Sequence, residues 1–351
     1  MMKMNKWTMA LAAAGVVSLS SVAQAQEAAA GADALAASTT LSGYVSTSYT
    51  MRDGSGDAIQ RTNNDDNQFK VDVVSLTLSS AQGAGEYATG YSVGMWIGPD
   101  DQGTDASGND DFELTHANID LRLPVGNGLD LKVGQFGTVV GYETYEYNSN
   151  AFFQRGVAFS AEPTHHTGVL ASYQLSDNLA VSVGAVNDTT SQQTNSSTDD
   201  GSAAYLTAVS YTVGDGAGLL SGTELYYGGV HGAGTAGVDT HYASVGLPVP
   251  VEGLSVDLAA TWVDGAGGTA GADDEIYQVY AAYTLSDKAT LNVRYEQGTM
   301  DSASLTGIES VAVGVSYDLW ENVISRVEYQ STSEDGDDDD DTLSINLVYS
   351  F

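Results

Sequence analysis

Four pairs of charged residues, each spaced two apart, are the part of this chain best equipped for chemistry: Asp120 with Arg122, Asp130 with Lys132, Arg294 with Glu296, and Arg326 with Glu328. In an extended strand, residues i and i+2 share a face, so each pair sets an acid beside a base on one surface. Such a surface is nearly neutral but strongly polar, and around a narrow aqueous gap it would act on ions by sign. A second group lies between Val139 and Thr164. There Glu143, Glu146, Glu162 and Arg155 sit among Tyr142, Tyr145, Tyr147, Phe152, Phe153 and Phe159. Water would not hold that much aromatic surface in an external loop, so the segment is expected to fold inward and narrow whatever space the strands enclose.

Other chemistries find less support. His165 and His166 are adjacent, with Glu162 nearby, but neighbouring side chains of a strand point to opposite faces and would not converge on one ion. A structural role is expected for both. His116, His231 and His241 are scattered without metal-ligand spacing. The acidic stretches from Asp100 to Asp111 and from Asp335 to Asp341 could hold Ca²⁺ or Mg²⁺ diffusely, although neither has the spacing of a twelve-residue calcium loop. No Gly-rich phosphate loop or nucleophile elbow is present, and no spacing singles out a triad. Neither a catalytic residue nor a bound cofactor is expected.

The elements that must carry these residues are strands. Leu254, Val256, Leu258, Ala260 and Trp262 alternate with Ser255, Asp257, Ala259 and Thr261. Ala289, Leu291, Val293 and Tyr295 alternate with Thr290, Asn292, Arg294 and Glu296, and Val311, Val313, Val315 and Tyr317 with Ala312, Gly314, Ser316 and Asp318. One face is apolar and the other small or polar, as a wall between lipid and water requires. The stretch from Phe69 to Leu78 is less regular. Turn signals divide the chain into eight long polar connections, at Asp53 to Asp66, Pro99 to Asp110, Val139 to Thr164, Asp188 to Gly201, Gly232 to Val238, Asp264 to Asp274, Met300 to Leu305 and Glu334 to Asp341. Between them fall seven short ones, near Gln82 to Glu86, Pro124 to Gly128, Ser176 to Asp177, Gly214 to Gly218, Pro248 to Gly253, Ser286 to Lys288 and Leu319 to Asn322. Fifteen connections join sixteen strands. Strict alternation of long and short predicts an all-β, antiparallel transmembrane barrel, with long extracellular loops and both termini in the periplasm. Sixteen strands are enough to enclose an aqueous channel.

At the N-terminus, Lys3 and Lys6 precede an apolar run from Met9 to Val17, and Ala23-Gln24-Ala25 supplies the small residues of a cleavage site. Residues 1–25 read as a secretory signal peptide; the apolar run is far short of the roughly 20 residues of a membrane helix. Residues 26–39 form an Ala-rich periplasmic lead, and 40–351 the barrel. Once Lys3 and Lys6 leave, 46 acids face nine bases, a net charge of about −37. That balance excludes nucleic acid as a partner. Forty Gly and 20 Tyr against five Pro suit twisted strands with aromatic girdles, and the absence of Cys leaves an oxidising compartment nothing to cross-link.

Two segments resemble known families. Leu343, Ile345, Leu347, Tyr349 and Phe351, ending the chain on an aromatic, resemble the C-terminal signature that the barrel assembly machinery reads in Gram-negative outer-membrane proteins, with Leu347, Tyr349 and Phe351 as its core. The stretch from Leu131 to Tyr173 resembles the OmpL-like family of outer-membrane β-barrel porins. It carries Gly134, Gln135 and Phe136, then Gly141, Tyr142 and Glu143, then Asn148, Asn150, Phe152, Phe153 and Arg155, and then His165 to Gly168. Gln135 departs from the Lys found in many members. The resemblance implies a channel for passive diffusion of small hydrophilic solutes and ions, not an enzyme, residing in the outer membrane among lipid and lipopolysaccharide. Trimerisation would follow from general porins. The acidic mouth predicts weak cation selectivity. Two other functions fit a barrel: an outer-membrane hydrolase, favoured by twelve strands or fewer, and a non-conducting adhesive barrel whose acidic loops bind cations.

Overall fold

A computed structural model describes residues 38–53, 67–98, 112–188, 203–232, 238–266, 271–334 and 339–351. The signal peptide, the lead as far as residue 37, the acidic stretch 99–111 and residues 335–338 lie outside the described residues.

Sixteen strands form one closed antiparallel barrel in which each pairs with its sequence neighbours and the last with the first. They are β1 (Thr40–Asp53), β2 (Phe69–Ser80), β3 (Thr89–Ile97), β4 (Phe112–Leu123), β5 (Leu129–Gly137), β6 (His165–Ser176), β7 (Leu179–Val186) and β8 (Ala204–Thr212). The second half comprises β9 (Glu224–Gly232), β10 (Asp239–Leu247), β11 (Leu254–Asp264), β12 (Asp273–Ser286), β13 (Ala289–Met300), β14 (Leu305–Trp320), β15 (Val323–Glu334) and β16 (Asp340–Ser350). A short helix, α1 (Val157–Ala161), lies between β5 and β6. Closure leaves no sheet edge with unpaired backbone, which a span through hydrocarbon demands.

Period-two patterning sorts the two faces. Outward positions on β14 and β16, such as Val311, Val313, Ile345 and Leu347, are open to the surroundings, whereas Ala312, Ser344 and Asn346 between them are buried. The β1–β16 seam runs in register from Tyr44 opposite Ser350 to Asp53 opposite Asp341. The connections alternate as expected, with two departures in length. The connection 213–223, on the short side, holds a 3₁₀ turn at Gly218–Leu220, and the one between β13 and β14, on the long side, is a single 3₁₀ turn at Asp301–Ala303.

Two irregularities shape the wall. The register of β1 on β2 shifts between Ser46 and Thr47, which face Val73 and Val71, so that Asp72 is the extra residue of a β-bulge. This is why the Phe69 to Leu78 stretch breaks its alternation. The bulge turns the Asp72 carboxylate inward, where it accepts hydrogen bonds from Ser46 (2.6 Å) and Ser48 (2.5 Å). The β4–β5 ladder, in turn, ends at Ala117 opposite Gln135. Beyond it the Gln135 side-chain amide donates to the carbonyls of Leu114 (2.6 Å) and Thr115 (3.3 Å), so a side chain continues what the backbone no longer pairs.

Candidate functional site

Residues 138–164, between β5 and β6, run inside the barrel and are held by inward-facing side chains of distant strands. Arg294 of β13 is the hub. Its Nη1 donates to Glu143 Oε1 (2.5 Å) and to the Gln154 carbonyl (3.0 Å), and its Nη2 to the Arg155 carbonyl (3.2 Å) and Gln330 Oε1 (2.7 Å). Its Nε lies 3.3 Å from Glu296, and the guanidinium sits 4.9 Å from the centre of the Phe152 ring. A planar fork with five donors is the side chain suited to tying several carbonyls and carboxylates together.

Wall carboxylates seat the loop backbone. Glu328 of β15 accepts from the amides of Phe153 and Gln154, both at 2.6 Å. Glu296 accepts from Val157 (2.7 Å) and Ala158 (3.1 Å), the free amides at the start of α1. Glu143 turns back to take the Gly156 amide at 2.6 Å. At Gly156 an added Cβ would collide with the Glu296 carboxylate, so only glycine lets the backbone come this close. Arg326 Nη2 donates to the Asn150 carbonyl and Nη1 to Asn346 Oδ1, each at 2.9 Å.

Aromatic groups complete the seating. Tyr142 stacks on Tyr280 with ring centres 3.6 Å apart and donates to Asp257 at 3.1 Å. Tyr145 lies against His165 and within 3.3 Å of His116 Nδ1. Tyr147 and Phe153 pack with Tyr44 and Trp96 of the wall. Arg155 binds within the loop, donating to the Tyr145 carbonyl at 2.7 Å and lying over the Tyr147 and Phe159 rings. His165 and His166 bond separately, to Thr164 and Thr138. Among the described residues no group of three or more ligating side chains could hold a metal ion.

Burial governs the loop's acids. Glu162, which accepts from Thr261 at 2.5 Å, is pushed up to about 8 by loss of water, with Glu143 and Glu296 adding repulsion. Burial also raises Glu146, against the pull of hydrogen bonds from Tyr44 and Trp96 and of the Arg155 charge. Gly141 turns at φ +95° beside Glu162, a backbone angle that favours glycine.

The eight lumen charges therefore fall into two sets. Arg294, Glu296, Arg326 and Glu328 lie beneath the loop. Asp120, Arg122, Asp130 and Lys132 lie on β4 and β5 towards the end of the barrel that carries both termini, away from the loop. There Lys132 pairs with Asp120 at 2.7 Å and Arg122 with Asp130 at 3.6 Å. Sequence reading did not single out Gln330, Tyr280 or Trp96 as loop contacts. Gln330 continues the face of Arg326 and Glu328, but no local pattern encodes which part of a loop will meet any of the three.

A barrel of this count with an internal loop can be compared with known proteins. Residues 38–351 match the model of the family described as "Putative beta-barrel porin-2, OmpL-like". The chain belongs to this family. It is an outer-membrane porin, and solved structures share its fold. Pseudomonas putida OprB has 14% identity and a TM-score of 0.63, covering 91% of this chain and 96% of that one. Salmonella typhi OmpF has 12% identity and a TM-score of 0.62, with 89% and 97% covered. An anion-selective porin from Comamonas acidovorans has 14% identity and a TM-score of 0.61, with 90% and 99% covered. No curated protein sequence matches the chain. At such identities the structural likeness speaks for the fold of this porin and not for its solutes.

Proposed function

We infer that the protein passes small hydrophilic solutes and ions by passive diffusion, with a weak preference for cations, and that the loop 138–164 sets the width of its path. The observation that carries this reading is the seating of the loop backbone on Glu296 and Glu328, two carboxylates that face the lumen. A loop held there lies across whatever moves through the barrel. Sixteen strands give the cross-section a channel needs, where a hydrolase would manage with twelve or fewer. On this reading Tyr142, Glu143, Glu146, Phe152, Phe153, Arg155 and Glu162 form the constriction, and the acidic external loops meet lipopolysaccharide through diffuse Ca²⁺ or Mg²⁺. The signal peptide is removed on export, the barrel assembly machinery reads the final strand, and the mature barrels form trimers.

Planar-bilayer conductance tests the reading. Replacing residues 142–159 by a short Gly-Ser linker should raise single-channel conductance several-fold. A folded deletion variant that carries no current would point instead to an adhesive or cation-binding barrel.

A further inference from the structure

The interior is closed to a degree that a merely narrowed channel does not require. Side chains spaced around the whole circumference are dry: Trp96 on β3, Leu170 on β6, Val230 on β9, Thr261 on β11, Arg294 on β13 and Asn346 on β16 are each at most 2% exposed. Residues lining a path for hydrated ions would be wetted. On β11, β12, β13, β15, β1, β3 and β4 the covering groups are the loop's own, through the contacts described above; on β16 Ser344 accepts from the Gln154 amide, and on β14 Ser316 donates to the Ala151 carbonyl, both at 3.1 Å. On the remaining side Val139 and Val140 pack with Phe136, Leu170, Leu206 and Tyr242 in one apolar cluster, and Tyr226 donates to the Val139 carbonyl. Asp120, Arg122, Asp130 and Lys132, towards the termini, instead keep 14 to 23% of their side-chain surface in contact with solvent. The lumen wall is thus wetted at that end and dry where the loop lies against it.

The seat also holds more carboxyl groups than guanidiniums. Five, Glu143, Glu146, Glu162, Glu296 and Glu328, crowd around Arg155, Arg294 and Arg326, and burial keeps the proton on Glu162 up to about pH 8. Every polar contact that holds the loop can be exchanged for water once the loop leaves. Buried carboxylates in excess of their partners oppose the closed arrangement, because desolvation and mutual repulsion both act on them.

We propose that the loop 138–164 is a latched plug: seated on Arg294, Glu296 and Glu328 it closes the porin, and current flows only when it leaves those seats. The proposal rests on the channel reading above and adds to it a shut state. A constriction of fixed position would conduct all the time; a plug conducts in proportion to the time it spends displaced.

The chain has no cysteine, so an engineered pair would be its sole thiols. Ser316 on β14 donates through its hydroxyl to the Ala151 carbonyl at 3.1 Å, so the two residues are neighbours across the junction of loop and wall. The double variant Ala151→Cys, Ser316→Cys is purified folded, cross-linked with copper-phenanthroline, checked for loss of free thiol, and placed in a planar bilayer in KCl. The expected result is that cross-linking lowers mean conductance by about tenfold or more, and that dithiothreitol restores it. Equal conductance in both states would overturn the proposal and leave a fixed constriction. Silence in both states would overturn it as well, because the plug then never leaves. A variant lacking residues 142–159, measured alongside, separates the two readings: if it conducts, the porin reading stands whatever becomes of the plug, and if it is silent the porin reading itself fails.

Discussion

Glu162 shows what a single buried carboxyl does to this loop. Thr261 and Glu143, Glu296 and Tyr242 surround it, and it holds its proton up to a pH of about 8. A carboxyl in water ionises near 4.3, so the seated loop binds more protons than the released one between these values. Seating is therefore fully favoured below about pH 4, weakens as pH rises, and levels off above about pH 8. The porin should open more often at pH 8 than at pH 5, and Glu162→Gln should flatten that dependence by several-fold. Mean open probability in bilayers measured across this range checks it; a Gln variant with the parent's pH profile would assign the dependence elsewhere. Arg294 acts in the opposite sense. Arg294→Gln strips Glu143, Glu296 and two loop carbonyls of their shared partner, a loss of about 3–5 kcal/mol for a broken buried pair. The loop should then become sensitive to protease in folded protein. The inward face of Arg294 can be read from the sequence, since it alternates with Leu291, Val293 and Tyr295. Its partnership with Glu143 cannot, because the two stand 151 positions apart and no periodicity links a loop to a wall.

At the scale of elements, the last strand was the most legible and β2 the least, for one physical reason. β16 keeps period two to its end, so each residue type declares its face. In β2 the extra residue at Asp72 shifts parity midway, and an acid at an apparently apolar position turns out to face inward beside Ser46, Ser48 and Asn346. The loop between β5 and β6 was legible in its aromatic content but not in its path, which side chains of many strands decide together. The final residue closes the seam. Phe351 exchanges both backbone hydrogen bonds with Gly43 at 3.1 and 2.9 Å, and its ring lies where a Gly43 side chain would stand. Removing Phe351 should therefore both loosen the β1–β16 closure and weaken recognition of the strand, lowering folded, heat-modifiable protein in the outer membrane by about tenfold. Undiminished folded protein after the deletion would show that the terminal aromatic is dispensable.

For the whole molecule the open question is the sign of the ion it prefers, and here fold and charge part company. One porin of similar fold is named as anion-selective, so the fold by itself does not decide it. The charges must. Arg122 and Lys132 are answered by Asp130 and Asp120 at the terminal end, and Arg294 and Arg326 are engaged beneath the loop. Inward-facing Glu224 and Asp257, opposite Gly246 on neighbouring strands, add two carboxylates to the path, and residues 26–351 carry about 37 excess negative charges. Charges on the external loops act only within a Debye length, about 8 Å at physiological salt and about 3 Å at 1 M. Selectivity should thus be moderate, about threefold for K⁺ over Cl⁻ in dilute KCl, and should fall towards unity near 1 M. Reversal potentials under a KCl gradient at two ionic strengths measure both. An anion preference would mean that the guanidiniums beneath the loop meet the permeating ion once the loop has moved, and that their field outweighs the acidic mouth.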